Sequence, residues 1–321
     1  MQPSKYILDC LEKLKGSSIE VQTDSEISEL IFMHLMSKKF RKYAAQPHLI
    51  EHIKNAIQIN IEKNEPIKIT FLHGAYKLWR LEEAPEADWA ELFAAMYYTA
   101  WLVPICNVYS PGVWFDFFVD DLIVPKLDNI PLSDVEKYIE SFQNVLDFLN
   151  SYQPANMKMT ITRVGDQFPS PEAFEKSLSD NIAKVSETNP TFTERQLEMV
   201  ELNAKPTELQ LKDPKWREKI HIIHDAYLMT KREPGYHFRP DKILAFSQPL
   251  PSGTFIAVGT TKTSIAKFWV GVGVLKKEGE KYKQYILSPK QLLSNTFIKE
   301  DVEIDGLSGK NFNLIRVLNE Q

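Results

Sequence analysis

The sequence predicts an α/β fold with a mostly parallel sheet, a helical N-terminal part and extra strands at its C-terminal end. Three observations predict it. Apolar residues recur at helical spacing through the first 66 residues. From residue 67 short strands alternate with helices, the signature of βαβ units on a parallel sheet. After Pro240 strand patterns follow one another closely.

The helical start rests on Ile27, Leu30, Ile31, His34 and Leu35, then on Ile50, Ile53, Ile57 and Ile61. Ile67-Lys68-Ile69-Thr70-Phe71-Leu72 alternates apolar with polar and runs into His73-Gly74, so it reads as a strand entering a turn. A helix is expected from about Glu86 to Leu102. The turn signal Ser110-Pro111-Gly112 precedes a second strand, Val113 to Val119. Ser133 and Glu136 have the spacing of a capping box, and Val135, Tyr138, Ile139, Phe142, Val145, Leu146 and Leu149 then form one apolar stripe. Met157 to Thr162 is the third strand. Ser170-Pro171 opens a helix with an N-cap serine and proline at the first helical position. Residues 171–232 read as a charged helical insertion broken by Pro190, Pro206 and Pro214. Four late strands are expected at Lys242–Phe246, Thr254–Val258, Lys267–Leu275 and Tyr282–Leu287. With no proline- or glycine-rich linker, the 1–66 helical part and the 67–321 α/β core are expected to form one composite domain.

Composition narrows the function classes. The 321 residues are 43% hydrophobic and 25% charged, which suits a packed globular chain. A net charge of −5 argues against a nucleic-acid partner, whose phosphates call for a basic surface. Cys10 and Cys106 form no CxxC pair and no disulfide framework, as in a reducing compartment. The N-terminus has no signal-peptide core. Leu92 to Val108 is apolar but holds Pro104 and Asn107, and reads as a buried helix rather than a membrane span. A soluble cytoplasmic protein without a membrane partner is the expectation.

In an open parallel sheet the ligand crevice lies beyond the carboxyl ends of the strands. Strand one ends in His73 and leads to Lys77 and Arg80, strand two ends in Asp120-Asp121 and strand three in Arg163. Cations, carboxylates and an imidazole at one edge suit a small anionic substrate, a phosphate or a carboxylate. The acidity of the chain is expected to sit on peripheral helices, away from these cations. A second cluster holds His221, His224, Asp225 and His237. His221 and His224 share a helical face, and a third ligand would make a metal site. No H-E-x-x-H or cysteine pattern accompanies them, so no metal is expected, and His221 is read as a surface residue. Gly259 to Ser264 is a polar turn able to hold an anion through its N–H groups and hydroxyls. Walker, G-x-G-x-x-G and G-x-S-x-G patterns are absent. Val270-Gly271-Val272-Gly273-Val274 lies in a strand, and its glycines are read as close packing.

Five pieces, in order, resemble the pyoverdine/dityrosine biosynthesis family, the isocyanide synthases. They are Ala75-Tyr76-Lys77, Pro85 to Glu91, Tyr109-Ser110-Pro111-Gly112, Val119-Asp120-Asp121 and Asp134 to Tyr138. Two later pieces continue the order, His224-Asp225-Ala226-Tyr227 and Lys262-Thr263-Ser264-Ile265-Ala266. The chain departs from the family at Leu78-Trp79-Arg80, at Ala266 in place of a histidine and at Lys262 in place of an arginine. The resemblance implies a Rossmann-like core and a lyase or transferase that joins an amino-acid amine to a ketose phosphate, with no cofactor. With the resemblance, Lys77, Asp120, Asp121, His224 and Tyr227 are expected as catalytic groups and Lys262 as a substrate anchor, while the strand-end and turn readings add His73, Arg80, Arg163 and Ser264 as substrate-binding groups. A nucleotide- or sugar-transferring enzyme with a divalent ion on Asp120-Asp121, and a non-catalytic binding protein using residues 171–232, are the alternatives.

Overall fold

The computed structural model describes residues 2–16, 23–37, 47–74, 85–201, 206–233, 244–246, 255–258, 265 and 268–318. Three helices come first: α1 (Pro3–Glu12), α2 (Asp24–Leu35) and α3 (Pro47–Glu62). Then β1 (Ile67–His73), α4 (Trp89–Val108), β2 (Val113–Val119), α5 (Val124–Leu127), α6 (Leu132–Asn150) and β3 (Met157–Arg163) follow. The three strands are parallel and in register, with Phe71 beside Phe117 beside Ile161. Residues α7 (Pro171–Glu187), α8 (Glu194–Glu201), α9 (Glu208–Leu211) and α10 (Trp216–Thr230) form the helical segment expected after Ser170. Ser170 caps α7 by accepting from the Ala173 N–H.

The late strands divide between two sheets. β4 (Leu244–Phe246) and β5 (Phe255–Val258) extend the first, giving the order β3-β2-β1-β5-β4. β5 is parallel to β1, and β4 is an antiparallel edge. β6 (Val272–Glu278) and β7 (Lys281–Leu287) are followed by α11 (Pro289–Leu293), β8 (Phe297–Asp301) and β9 (Leu314–Leu318). Those four strands make a second, mixed sheet in the order β7-β6-β9-β8. β8 escapes the hydrophobic pattern because it is five residues long and largely exposed or charged, and β9 because five residues are too few to show a period, although its Ile315 and Val317 are buried. β6 begins at Val272 and not at Lys267, because residues Phe268–Val270 form a 3-10 turn.

α4 ties the layers together. It buries fifteen of its twenty residues and leaves one narrow stripe, Tyr97, Ala100, Pro104, Asn107 and Val108, partly open. Tyr98 packs on Phe115 of β2 on one side, the rings tilted and their centres 4.8 Å apart. On the other side, a Cβ at Gly273 of β6 would lie 2.4 Å from the Ala90 nitrogen, so only glycine admits this approach of strand to helix. The sequence reading of Gly271 and Gly273 as close packing holds. One apolar cluster runs from Ile7, Ile31 and Ile53 of the first helices through Phe71 and Phe117 to Ile286 and Val317 of the second sheet. Among the described residues no helix is long and apolar enough to cross a membrane.

The capping-box expectation at Ser133 and Glu136 is corrected. α6 begins at Leu132 after Pro131, with no side-chain cap. Glu136 turns instead to Arg163. A capping box forms at the head of α4, where the Asp88 carboxylate accepts from Ala90 N–H at 2.6 Å and Glu91 accepts from Asp88 N–H at 2.8 Å. That cap starts the helix at Trp89, three residues later than expected.

Candidate functional site

The parallel register brings His73, Val119 and Arg163 into one row at the carboxyl edge of the sheet. Asp120 continues this edge, its N–H donating to the His73 carbonyl at 3.1 Å. The side chains gathered here turn to three different sets of partners.

His73 is buried against α6. Its Nε2 lies 3.0 Å from the Tyr138 hydroxyl, which donates to Glu91 at 3.1 Å. Glu91 is fully buried and holds the α4 cap with its other oxygen. Burial, then the Glu91 charge, pushes the Tyr138 phenol well above its ordinary range, so it stays protonated and donates. Phe268 closes over the imidazole with ring centres 4.6 Å apart.

Asp120 faces α10. It accepts from the Tyr227 hydroxyl at 2.8 Å and from the Lys231 ammonium at 3.1 Å, and it keeps 21% of its side chain exposed. Burial first, and Asp120 second, hold the Tyr227 phenol well above its usual range. Tyr227 is therefore a donor in this arrangement and not a base.

Asp121 faces the other way and has no exposed side-chain surface. It accepts from Arg163 Nε at 2.9 Å and from Gly165 N–H at 3.2 Å. Burial pushes its carboxyl upward, against the opposing pull of Arg163. Arg163 gives its other two guanidinium nitrogens to Glu136, one of them at 2.8 Å, and that bonding raises its already high pKa further. Asp120 and Asp121 thus each have their own cation, and their carboxylates point to different partners.

Lys77, Arg80, Lys262 and Ser264 lie outside the described residues, as do Ala266 and His237. His224 is not among the partners of Asp120 or Asp121. It is 42% exposed, with its Nδ1 3.3 Å from Asp225, while His221 is buried under the Phe192 ring at 4.2 Å. The surface reading of His221 is corrected: a neighbouring aromatic covers it.

Residue patterns missed four of the groups that complete these networks: Glu91, Glu136, Tyr138 as a polar contact, and Lys231. Three lie on helices and Lys231 directly follows α10, and all join a strand end only through tertiary packing. Asp116 was also passed over, although an aspartate inside Val113-Trp114-Phe115-Asp116-Phe117 is a visible signal. It is buried in mid-strand, accepts from Thr160 at 2.6 Å and Thr162 at 2.8 Å, and burial lifts its carboxyl to about 6.

No family model matches the sequence, and no curated protein matches it. The fold does have a solved counterpart, the PvcA protein from Pseudomonas aeruginosa. The match covers 91% of this chain and 100% of that one, with a TM-score of 0.56 and 14% sequence identity. At that identity the likeness is one of fold, and a distant one: a mixed α/β architecture shared along nearly the whole chain.

Proposed function

We propose that this chain is an enzyme of small-molecule, secondary metabolism whose reaction belongs with that of the isocyanide synthases. One observation carries the reading. Pieces that resemble that family lie far apart in sequence, yet their polar residues touch. Glu91 of the second piece meets Tyr138 of the fifth through a hydrogen bond, and both connect to His73. Asp120 of the fourth piece meets Tyr227 of a later one. The fold likeness to PvcA is in accord with the same reading.

The strand order supports a Rossmann-like core. β1 has a parallel neighbour on either side, β2 and β5, so the chain leaves all three at one edge, where crevices of such sheets lie. Lys77 follows the end of β1 by four positions, and Lys262 follows the end of β5 by four. In this reading both hold the phosphate or carboxylate of the substrate, together with Arg80 and Ser264.

The reaction joins the amine of an amino acid to the ketone of a sugar phosphate. An ammonium substrate gives up three protons: two leave with the carbonyl oxygen as water, and one goes to a base as the C–N bond forms. Asp120 is that base. Its exposed surface can meet the substrate, while Tyr227 and Lys231 hold its carboxylate in place. Asp121 and Arg163 are assigned a positioning role, because Asp121 is fully covered and Arg163 is held by two carboxylates. His73 and Tyr138 form the polar wall beneath. His224 has no catalytic role here, since its contacts are with His221 and Asp225.

Calorimetry with ribulose 5-phosphate tests the proposal on the full chain. Wild type is expected to bind, with loss in Lys77→Ala. A wild-type chain that shows no heat of binding, alone or with amino acids present, overturns it.

A further inference from the structure

We infer that His221, His224 and Asp225 form a binding site for a divalent first-row cation, zinc being the best fit. The sequence offers H-x-x-H-D on what becomes the second and third turns of α10. Positions separated by three and four residues share one helical face, so the backbone brings all three side chains together without help from a distant segment.

The geometry goes beyond shared position. One donor atom from each residue lies within 4.8 Å of the other two. His221 Nδ1 is 3.3 Å from one Asp225 oxygen, and His224 Nδ1 is 3.3 Å from the other. A charge-assisted hydrogen bond would be shorter, typically about 2.7–2.9 Å. Ligands bound to zinc at about 2.0–2.1 Å in a tetrahedral array stand about 3.4 Å apart, so each histidine already stands at that spacing from one of the two Asp225 oxygens. A turn of the Asp225 carboxylate and of the His224 ring, 39% and 42% exposed, would bring one oxygen and both imidazoles around a common point.

Burial of a donor is the independent sign. His221 is 8% exposed, and its Nδ1 is buried without a hydrogen-bond partner, facing the Asp225 carboxylate. Phe192 stacks on its ring at 4.2 Å and fixes the imidazole plane. A buried polar atom left unbonded costs stability, and a cation shared with Asp225 would satisfy it. Two imidazoles and one carboxylate are the donor set of zinc and of similar borderline cations, and poorly suited to calcium or magnesium. Three protein ligands leave a further position for water. The site lies on the helix that carries Tyr227 and leads into Lys231, so occupancy would brace the element that holds Asp120.

The test uses the full chain stripped of metal by chelator and titrated with cobalt(II), followed by zinc competition. One equivalent of cobalt is expected to give the visible absorption of a four- or five-coordinate site, and one equivalent of zinc is expected to abolish it. Asp225→Asn and His224→Gln are each expected to weaken zinc binding by on the order of tenfold or more. Both side chains are near 40% exposed, so unchanged circular dichroism should accompany the loss. Two results overturn the site: no cobalt absorption in wild type, or equal zinc affinity in wild type and both variants, which would place the metal on other histidines.

Discussion

Asp120 and Asp121 are neighbours in sequence and belong to different environments. Asp120 faces α10 and shares Tyr227 and Lys231, with a fifth of its side chain open to solvent. Asp121 faces Arg163 and is sealed. Successive residues at the end of an extended strand point to opposite sides, so one step along the chain separates an accessible carboxylate from a covered one. The lesson is that a pair of acids at a strand end is not one functional unit. The first can meet a substrate, and the second holds an arginine in position.

The largest effect should come from breaking the covered pair. Asp121→Ala leaves Arg163 with Glu136 alone and a cavity under Gly165, and should cost about 3 kcal/mol of stability by urea unfolding, at the low end for a buried ion pair because Glu136 remains.

A third aspartate, Asp116 inside β2 itself, gives a pH signature. The Asp116 carboxyl lies near 6 in the folded chain against an ordinary value near 3.8. Between those two values the folded state binds the extra proton, so its contribution to stability is full at low pH and is lost as pH rises through about 6. Comparing wild type with Asp116→Asn across this window should expose a difference of ~3 kcal/mol. A flat difference would show that Asp116 is solvated.

Asp120→Asn should sharpen the contrast from the other side. It keeps a hydrogen-bond acceptor for Tyr227 and should cost only about 1 kcal/mol of stability. In the proposed condensation it should lower turnover by roughly a hundredfold, the usual worth of a general base. If Asp120→Asn unfolds the chain more readily than Asp121→Ala, the division of roles between the two acids fails. Glu136→Gln should have the smallest effect, under about 1 kcal/mol, because Glu136 is 46% exposed and an exposed ion pair is screened.

Much of the scaffold is readable in the residues. Alternation in Ile67 to Leu72 and the apolar runs from Val113 and Met157 mark three strands that do lie side by side and parallel. Ser110-Pro111-Gly112 marks the turn, where Gly112 has φ +72° and packs against the Asn156 carbonyl too closely for a side chain. The capping boxes show the limit of such reading. Ser133 and Glu136 have the spacing but not the cap, because Arg163 claims the glutamate, while Asp88 and Glu91 form a cap without serine or threonine. Local spacing states what a side chain can do, and a charged partner brought from another element decides what it does.

By itself, the sequence determined the order of the main helices and strands as far as β7, the buried character of α4, the absence of a cysteine framework and the strand ends where polar groups collect. These follow from periodicity and residue type, which act over a few neighbouring positions. Tertiary structure alone decided that Glu91, Tyr138 and His73 form one hydrogen-bonded chain and that Lys231 stands beside Asp120. It also decided that Asp121 is sealed and that His221 is buried beside Asp225. Those contacts join residues from separate elements, or depend on what covers them, and packing rather than local pattern fixes which polar groups lose their water and must find each other.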